Sequence, residues 1–224
     1  LTSLLLAQRS AIKPRLYAFG VAAFLVSIPV FVQAPLVRIA PFWSLALTLG
    51  WLFLSYRLRT RPNTRLLGSL LFGFTLSWWC GGLYWGWLRE DPLWHLPVEA
   101  LGIPIAMLAY QHFRVGSAFY LGSFVGTTLT DVYIWGTGLT PWWGRVMRDE
   151  SPENLQVVMD QALGQMHTLW GLFWGLGVGA LLLIIGLWAM RSRTIHHWAF
   201  AGAVLSTLVV GGMFWASAMV MASF

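Results

Sequence analysis

Charge is what this chain has least of. Asp, Glu, Lys and Arg make up only 10% of its 224 residues, while 58% are hydrophobic and the mean hydropathy is +0.67. That composition leaves too little polar surface to cover a soluble domain of this length, so the chain reads as an all-α, polytopic helical membrane protein. Cysteine is almost missing too. Cys80, in the stretch SWWCGGLYW, stands alone, which excludes a disulfide framework and a paired-cysteine metal site. Catalytic signatures are also absent: there is no Walker loop, no G-x-S-x-G elbow, no H-E-x-x-H and no aspartate-rich polyprenyl motif. Glu99 stands only at the start of an apolar run, and one carboxylate, Asp131, is expected inside the membrane, so a carboxylate relay for proton-coupled transport and a carboxylate pair for acid–base catalysis both lack their parts.

What is present is laid out regularly. Apolar runs fall at 16–37, 41–56, 66–88, 97–110, 115–139, 168–190 and 198–224, which predicts about seven transmembrane helices in a single domain spanning 1–224. The second and fourth runs are short, and Pro104 interrupts the fourth, so both also fit tilted, kinked or re-entrant segments, and a five-span version stays open. Residues 1–15 carry too short an apolar run to cross and are expected to form a surface segment.

Seven crossings from an inner N-terminus would put Arg9, Lys13, Arg15, Arg57, Arg59, Arg61, Arg65, Arg114, Arg191 and Arg193 on one side with no acid among them. Arg38, Arg89, Arg145 and Arg148 would lie on the other side with Glu90, Asp91, Asp149, Glu150, Glu153 and Asp160, and with Glu99 where the fourth run begins. This is the positive-inside pattern, with the N-terminus cytoplasmic and the C-terminus opposite. The net charge of +6 is distributed in these short clusters and forms no separate basic face, which argues against a nucleic-acid partner.

The connection 140–167 has its own pattern. Ser151, Pro152 and Glu153 suit the start of a helix, and Leu155, Val158, Met159 and Leu163 then recur at helical spacing, which predicts an amphipathic helix along the outer surface. Ser151 is expected to cap it. No internal repeat is evident, so an inverted-repeat transporter is not supported.

Asp131 is the leading site residue. A buried carboxylate costs roughly 2.5–3.5 kcal/mol at a helix centre and should find a partner. Thr127 and Thr128, one turn back, are expected to donate to it. The reading favours a polar lock between helices over a catalytic acid. His112 and His167, each near a boundary, are weak candidates for axial ligands of a tetrapyrrole, and no metal-ligating pair of histidines is spaced at i, i+3 or i+4. Small residues recur at four-residue spacing: Gly82 and Gly86; Gly122 and Gly126, preceded by Ala118; Gly171, Gly175 and Gly179. Such stripes let helices approach closely and serve as packing faces, or as flat seats for a carotenoid or a partner helix. The 15 tryptophans exceed what two interfacial belts need.

With the stretches GLYWGWLREDPLWHLPVEALGIPI and LTDVYIWGTGLTPWWGRVM, the chain resembles an uncharacterised family of multi-pass membrane proteins of cyanobacteria and plastids, from about Pro14 onward. The resemblance carries no catalytic residues. It implies a thylakoid or plasma membrane of a phototroph, acidic loops toward the lumen or periplasm, and photosystem subunits as partners, with chlorophyll or carotenoid as conceivable cofactors. The function expected on this basis is a non-enzymatic accessory or assembly factor of a photosynthetic membrane complex. The alternative is a small-molecule transporter, or an enzyme acting on a lipid or pigment, with Asp131 in its cavity.

Overall fold

A computed structural model describes residues 2–149 and 151–222, with side chains from 12 to 220. Leu1, Glu150, Ser223 and Phe224 lie outside the described residues, as do the side chains of the expected N-terminal surface segment up to Ala11. The described residues are helical almost throughout and contain no strand. In chain order the helices are α1 (Thr2–Ile28), α2 (Ala34–Ile39), α3 (Pro41–Arg59), α4 (Arg65–Leu83), α5 (His95–Ala100), α6 (Gly102–Gly136), α7 (Thr140–Arg148), α8 (Pro152–Met166), α9 (Leu169–Met190) and α10 (Ile195–Ala222). Two π-helical turns, Pro29–Gln33 and Tyr84–Leu88, continue α1 and α4.

Five stretches are long and apolar enough to cross a membrane: Ile12–Ile39, Pro62–Leu88, Pro92–Gly136, Leu169–Met190 and Ile195–Val220. That is fewer than the seven runs of the sequence reading. The second run is α3, which closes on Arg57 and Arg59 and carries Ser44, Thr48 and Ser55; it is not apolar enough to qualify. The fourth and fifth runs fall within one stretch, Pro92–Gly136.

That stretch is folded back on itself. Phe113, inside α6, has φ −126° and ψ 43°, outside the helical region. A straight helix would separate His95 from Asp131 by about 54 Å at 1.5 Å per residue; their side chains instead approach to 3.1 Å. The phenol of Tyr120 likewise reaches back to Gly102. The bend sits at one end of the bundle, where the Phe113 ring stacks on Phe72 (4.2 Å between centroids) and the Arg59 guanidinium lies 4.2 Å above it.

α4 is the central helix. In its stretch, 78% of the most apolar window is buried, against 17–22% in the other four. It packs on α3, α6 and α1, while α10 packs on α6, α1 and α9. The main core joins Ala18, Ala22 and Leu25 of α1 to Leu70, Leu71, Phe74 and Trp78 of α4, with Phe119 of α6 and Ala199 and Ala203 of α10. Because lipid is as apolar as leucine, helix pairs in a membrane are held by close backbone approach more than by burial of apolar area. Gly73 of α4 and Gly116 of α6 provide it here, since a methyl group on either would run into a backbone carbonyl, that of Gly116 and that of Ser69 respectively.

The connection 140–167 differs in detail from expectation. The helix predicted from residue 152 is α8, and Val158 and Leu163 are buried, with α10 as its principal neighbour. Ser151 occupies its N-cap position but makes no side-chain cap; instead its backbone N–H donates to Asp149 Oδ1 at 2.9 Å. A further helix, α7, precedes it.

Candidate functional site

The fold-back at Phe113 brings the first arm of the hairpin, α5 and the start of α6, alongside the second. This places His95 opposite Asp131. His95 Nδ1 lies 3.1 Å from both carboxylate oxygens of Asp131. The hydrogen bond goes to Oδ1, and Oδ2 has no hydrogen-bond partner of its own. Asp131 is 3% exposed, so His95 supplies the polar partner that a buried carboxyl group requires.

The position of His95 is set from both sides. Asp91 accepts from Leu93 N at 3.0 Å and starts the tight turn Pro92–Trp94 that leads into α5. The π-helical turn after α4 presents Tyr84, whose ring stacks on the imidazole at 4.3 Å and 24°. Trp85 meets His95 edge-on at 6.3 Å and leans on Trp143 of α7, whose Nε1 donates to Arg89 O at 2.9 Å. At the rim, Arg148 and Glu90 approach to 3.7 Å. The Tyr84 hydroxyl is fully buried with no hydrogen-bond partner. Deeper in, the phenol of Tyr120 donates to the carbonyl of Glu99, and Cys80 Sγ lies 3.6 Å from the Tyr120 hydroxyl. Gly102 makes this contact feasible, because a side chain there would collide with the Tyr120 ring. The Glu99 side chain is buried and within electrostatic reach of both His95 and Asp131.

This arrangement can clamp two helix arms together. Among the described residues no serine, threonine or thiol is hydrogen-bonded to His95 as a nucleophile would be. Among the described residues no three His, Cys, Asp or Glu side chains converge to hold a metal. Two apolar grooves open on the surface, one of about 190 Å³ lined by Leu129, Val132, Phe173 and Trp174, and one of about 490 Å³ beside Phe53, Phe72 and Phe113. Neither includes Asp131.

The other predicted residues are dispersed. The Thr128 hydroxyl donates to Phe124 O at 2.8 Å in its own helix and does not serve Asp131, because a helical threonine satisfies itself more readily on the preceding turn than on a side chain. Thr127 is half-buried on the same arm. His112 is exposed beside the bend, and His167 is exposed at the end of α8 with its ring edge-on to Trp215 at 6.3 Å. Neither imidazole lines either of these two grooves.

All seven glycines of the stripes face this chain's own atoms. Gly82 meets Gln33, Gly86 meets Pro41, Gly122 meets the carbonyl of Phe200, Gly126 meets Thr207, Gly171 meets Gln165 and Met166, Gly175 meets Tyr133 and Gly179 meets Leu208.

Sequence reasoning assigned no site role to His95, Tyr84, Glu99 or Tyr120. Once a hairpin is allowed at the polar pair His112 and Arg114, His95 and Asp131 fall at equal distances on either side of Phe113. That symmetry was the available signal.

No curated protein matches the chain, and no solved structure does. A protein family described as a protein of unknown function, DUF3120, matches residues 22–219. This match covers nearly all of the membrane-spanning bundle, including His95, Asp131 and the bend between them, and the chain belongs to that family.

Proposed function

We propose that this protein is a non-enzymatic accessory or assembly factor that works by associating with a larger membrane complex, and that the complex is a photosynthetic one. The observation that carries the reading is that Asp131 is already engaged by His95 across the hairpin and lines neither of the two apolar grooves described above. A transporter or enzyme built on Asp131 would need that carboxylate to face a cavity. Large aromatic side chains of α9, among them Phe173 and Trp188, are largely exposed, which suits contact with lipid and with other membrane proteins. The photosynthetic assignment rests on the resemblance of the two stretches quoted above, with photosystem subunits as partners.

Seven crossings are the topology we favour. The antiparallel arms on either side of Phe113 and the antiparallel pair α3 and α4 support it. With the arginine-rich turns cytoplasmic, the His95–Asp131 pair lies toward the lumen or periplasm of a thylakoid or plasma membrane.

The test is purification of the tagged native protein in mild detergent, with mass spectrometry and a visible absorption spectrum taken on the same fraction. Co-migrating photosystem subunits are expected. A lone, colourless, stable protein would overturn the reading and return attention to Asp131 as a substrate site.

A further inference from the structure

One end of the bundle concentrates positive charge with nothing to balance it. α3 ends in Arg57 and Arg59, the turn into α4 carries Arg61, α4 begins at Arg65, and Arg114 follows the hairpin bend. No Asp or Glu precedes Glu90 in the sequence. Among the described residues none of these five arginines forms an ion pair.

The larger apolar groove opens beside this charge. Leu49, Leu52, Phe53 and Tyr56 of α3 form one wall, and Phe72 and Phe113 form the other. Its volume, about 490 Å³, lies within the roughly 300–1,000 Å³ of small-ligand sites. Two of its rings hold guanidinium groups: Arg57 Cζ lies 5.9 Å from the Phe53 centroid, and Arg59 Cζ lies 4.2 Å from that of Phe113. The groove's own walls therefore fix two cations near its arginine-bearing end. A guanidinium lying over a ring still has its N–H edge free to bind a phosphate oxygen.

An apolar slot facing the membrane, with two unpaired and positioned arginines beside it, is complementary to a molecule with a chain at one end and an anion at the other. We propose that this groove and Arg57 and Arg59 form a binding site for one anionic phospholipid. Its acyl chain lies between α3 and the Phe72–Phe113 wall, and its phosphate meets the two guanidinium groups. Leu49 and Phe53 are largely exposed, so the chain enters sideways from the bilayer and the bundle need not open.

Native mass spectrometry of the full-length protein in mild detergent, titrated with phosphatidylglycerol or phosphatidylcholine, tests this. One phosphatidylglycerol is expected to stay bound under conditions that strip phosphatidylcholine. Replacing both cations (Arg57→Gln with Arg59→Gln) should weaken its binding by roughly twenty-five-fold, about fivefold for each arginine near an anionic group. Leu52→Trp, which fills the groove without changing charge, should weaken it too. Arg191→Gln with Arg193→Gln, which removes two charges outside the groove, should leave it unchanged, and inorganic phosphate should not displace it. Circular dichroism and gel filtration confirm that each variant is folded. Equal retention of the two lipids, or unchanged binding in the Arg57 and Arg59 variant, would overturn the site. An equal loss in the Arg191 and Arg193 variant would reduce it to general surface attraction. Displacement by phosphate would make it a simple anion site.

Discussion

His95 and Asp131 are equidistant in sequence from Phe113, and their side chains meet at 3.1 Å. A carboxylate and an imidazole so paired across a hairpin lock its register: a shift of one residue along either arm would rotate the partners apart and leave Asp131 buried alone.

Removing the two partners should have unequal effects. His95→Ala leaves the buried carboxylate without its contact and is expected to cost about 3–5 kcal/mol. Asp131→Asn removes the charge and retains a hydrogen-bonding amide, so a loss of only about 1 kcal/mol is expected. Thermal unfolding of the two variants in the same detergent checks this. Equal losses would mean that the pair does not hold the arms together. Normal accumulation of Asp131→Asn with normal complex formation would also fit a structural role.

The glycines divide into two groups by what a methyl group would meet. At Gly116 it would collide with the Ser69 carbonyl and at Gly122 it would lie 2.6 Å from the Phe200 carbonyl, whereas at Gly177 it would meet nothing within 4 Å. Gly116→Ala and Gly122→Ala are expected to destabilise the bundle by about 1–3 kcal/mol or more. Gly177→Ala should be neutral or stabilising by up to about 1 kcal/mol. Protease resistance in detergent ranks the three. Bulky replacements at Gly122 or Gly126 act on α6 and α10 themselves and would not report on a partner complex.

Membrane sidedness can be read with single cysteines, because Cys80 is fully buried and should resist an impermeant maleimide until the protein unfolds. In the seven-crossing topology, Gln111→Cys and Arg61→Cys label from the same side, and Leu93→Cys labels from the opposite side. If Gln111→Cys and Leu93→Cys label from one side, the hairpin is re-entrant and the crossing count falls.

The turn between α7 and α8 should depend on pH. Asp149 accepts from the backbone N–H of Ser151, and this bond holds its carboxyl below the usual value of 3.8. A lowered folded value means that the contribution to stability is fully present above 3.8 and is lost as pH falls through the folded value. Protection of the Ser151 amide, taken relative to its intrinsic exchange rate at each pH, is therefore expected to be present at pH 5 and to fall below pH 3.8, a change that Asp149→Asn should abolish.

The helices were largely legible because the signals for them are local. The run that became α9 ends within a residue of its expected bounds at each end, and α8 begins at the proline that suits a first helical turn. The position of the bend was legible too, since Phe113 leaves the helical region in the gap between the runs 97–110 and 115–139. What holds it was not: QHFRVG contains no proline, and the Phe113 ring meets Phe72 and the Arg59 guanidinium, partners distant in sequence. The Thr128 assignment failed because proximity of one helical turn does not specify direction, and the nearest acceptor for a threonine hydroxyl is its own helix.

Composition and the spacing of charges were enough to establish a helical membrane protein with its basic residues gathered between apolar runs, because insertion into lipid depends on the apolarity of each segment taken singly. Which polar groups meet inside the bundle depends on the register between helices, which no single segment contains. The partner of Asp131, the close packing of Gly122 and Gly126 against α10, and the two arginines held against the walls of a groove were therefore decided by the tertiary structure alone.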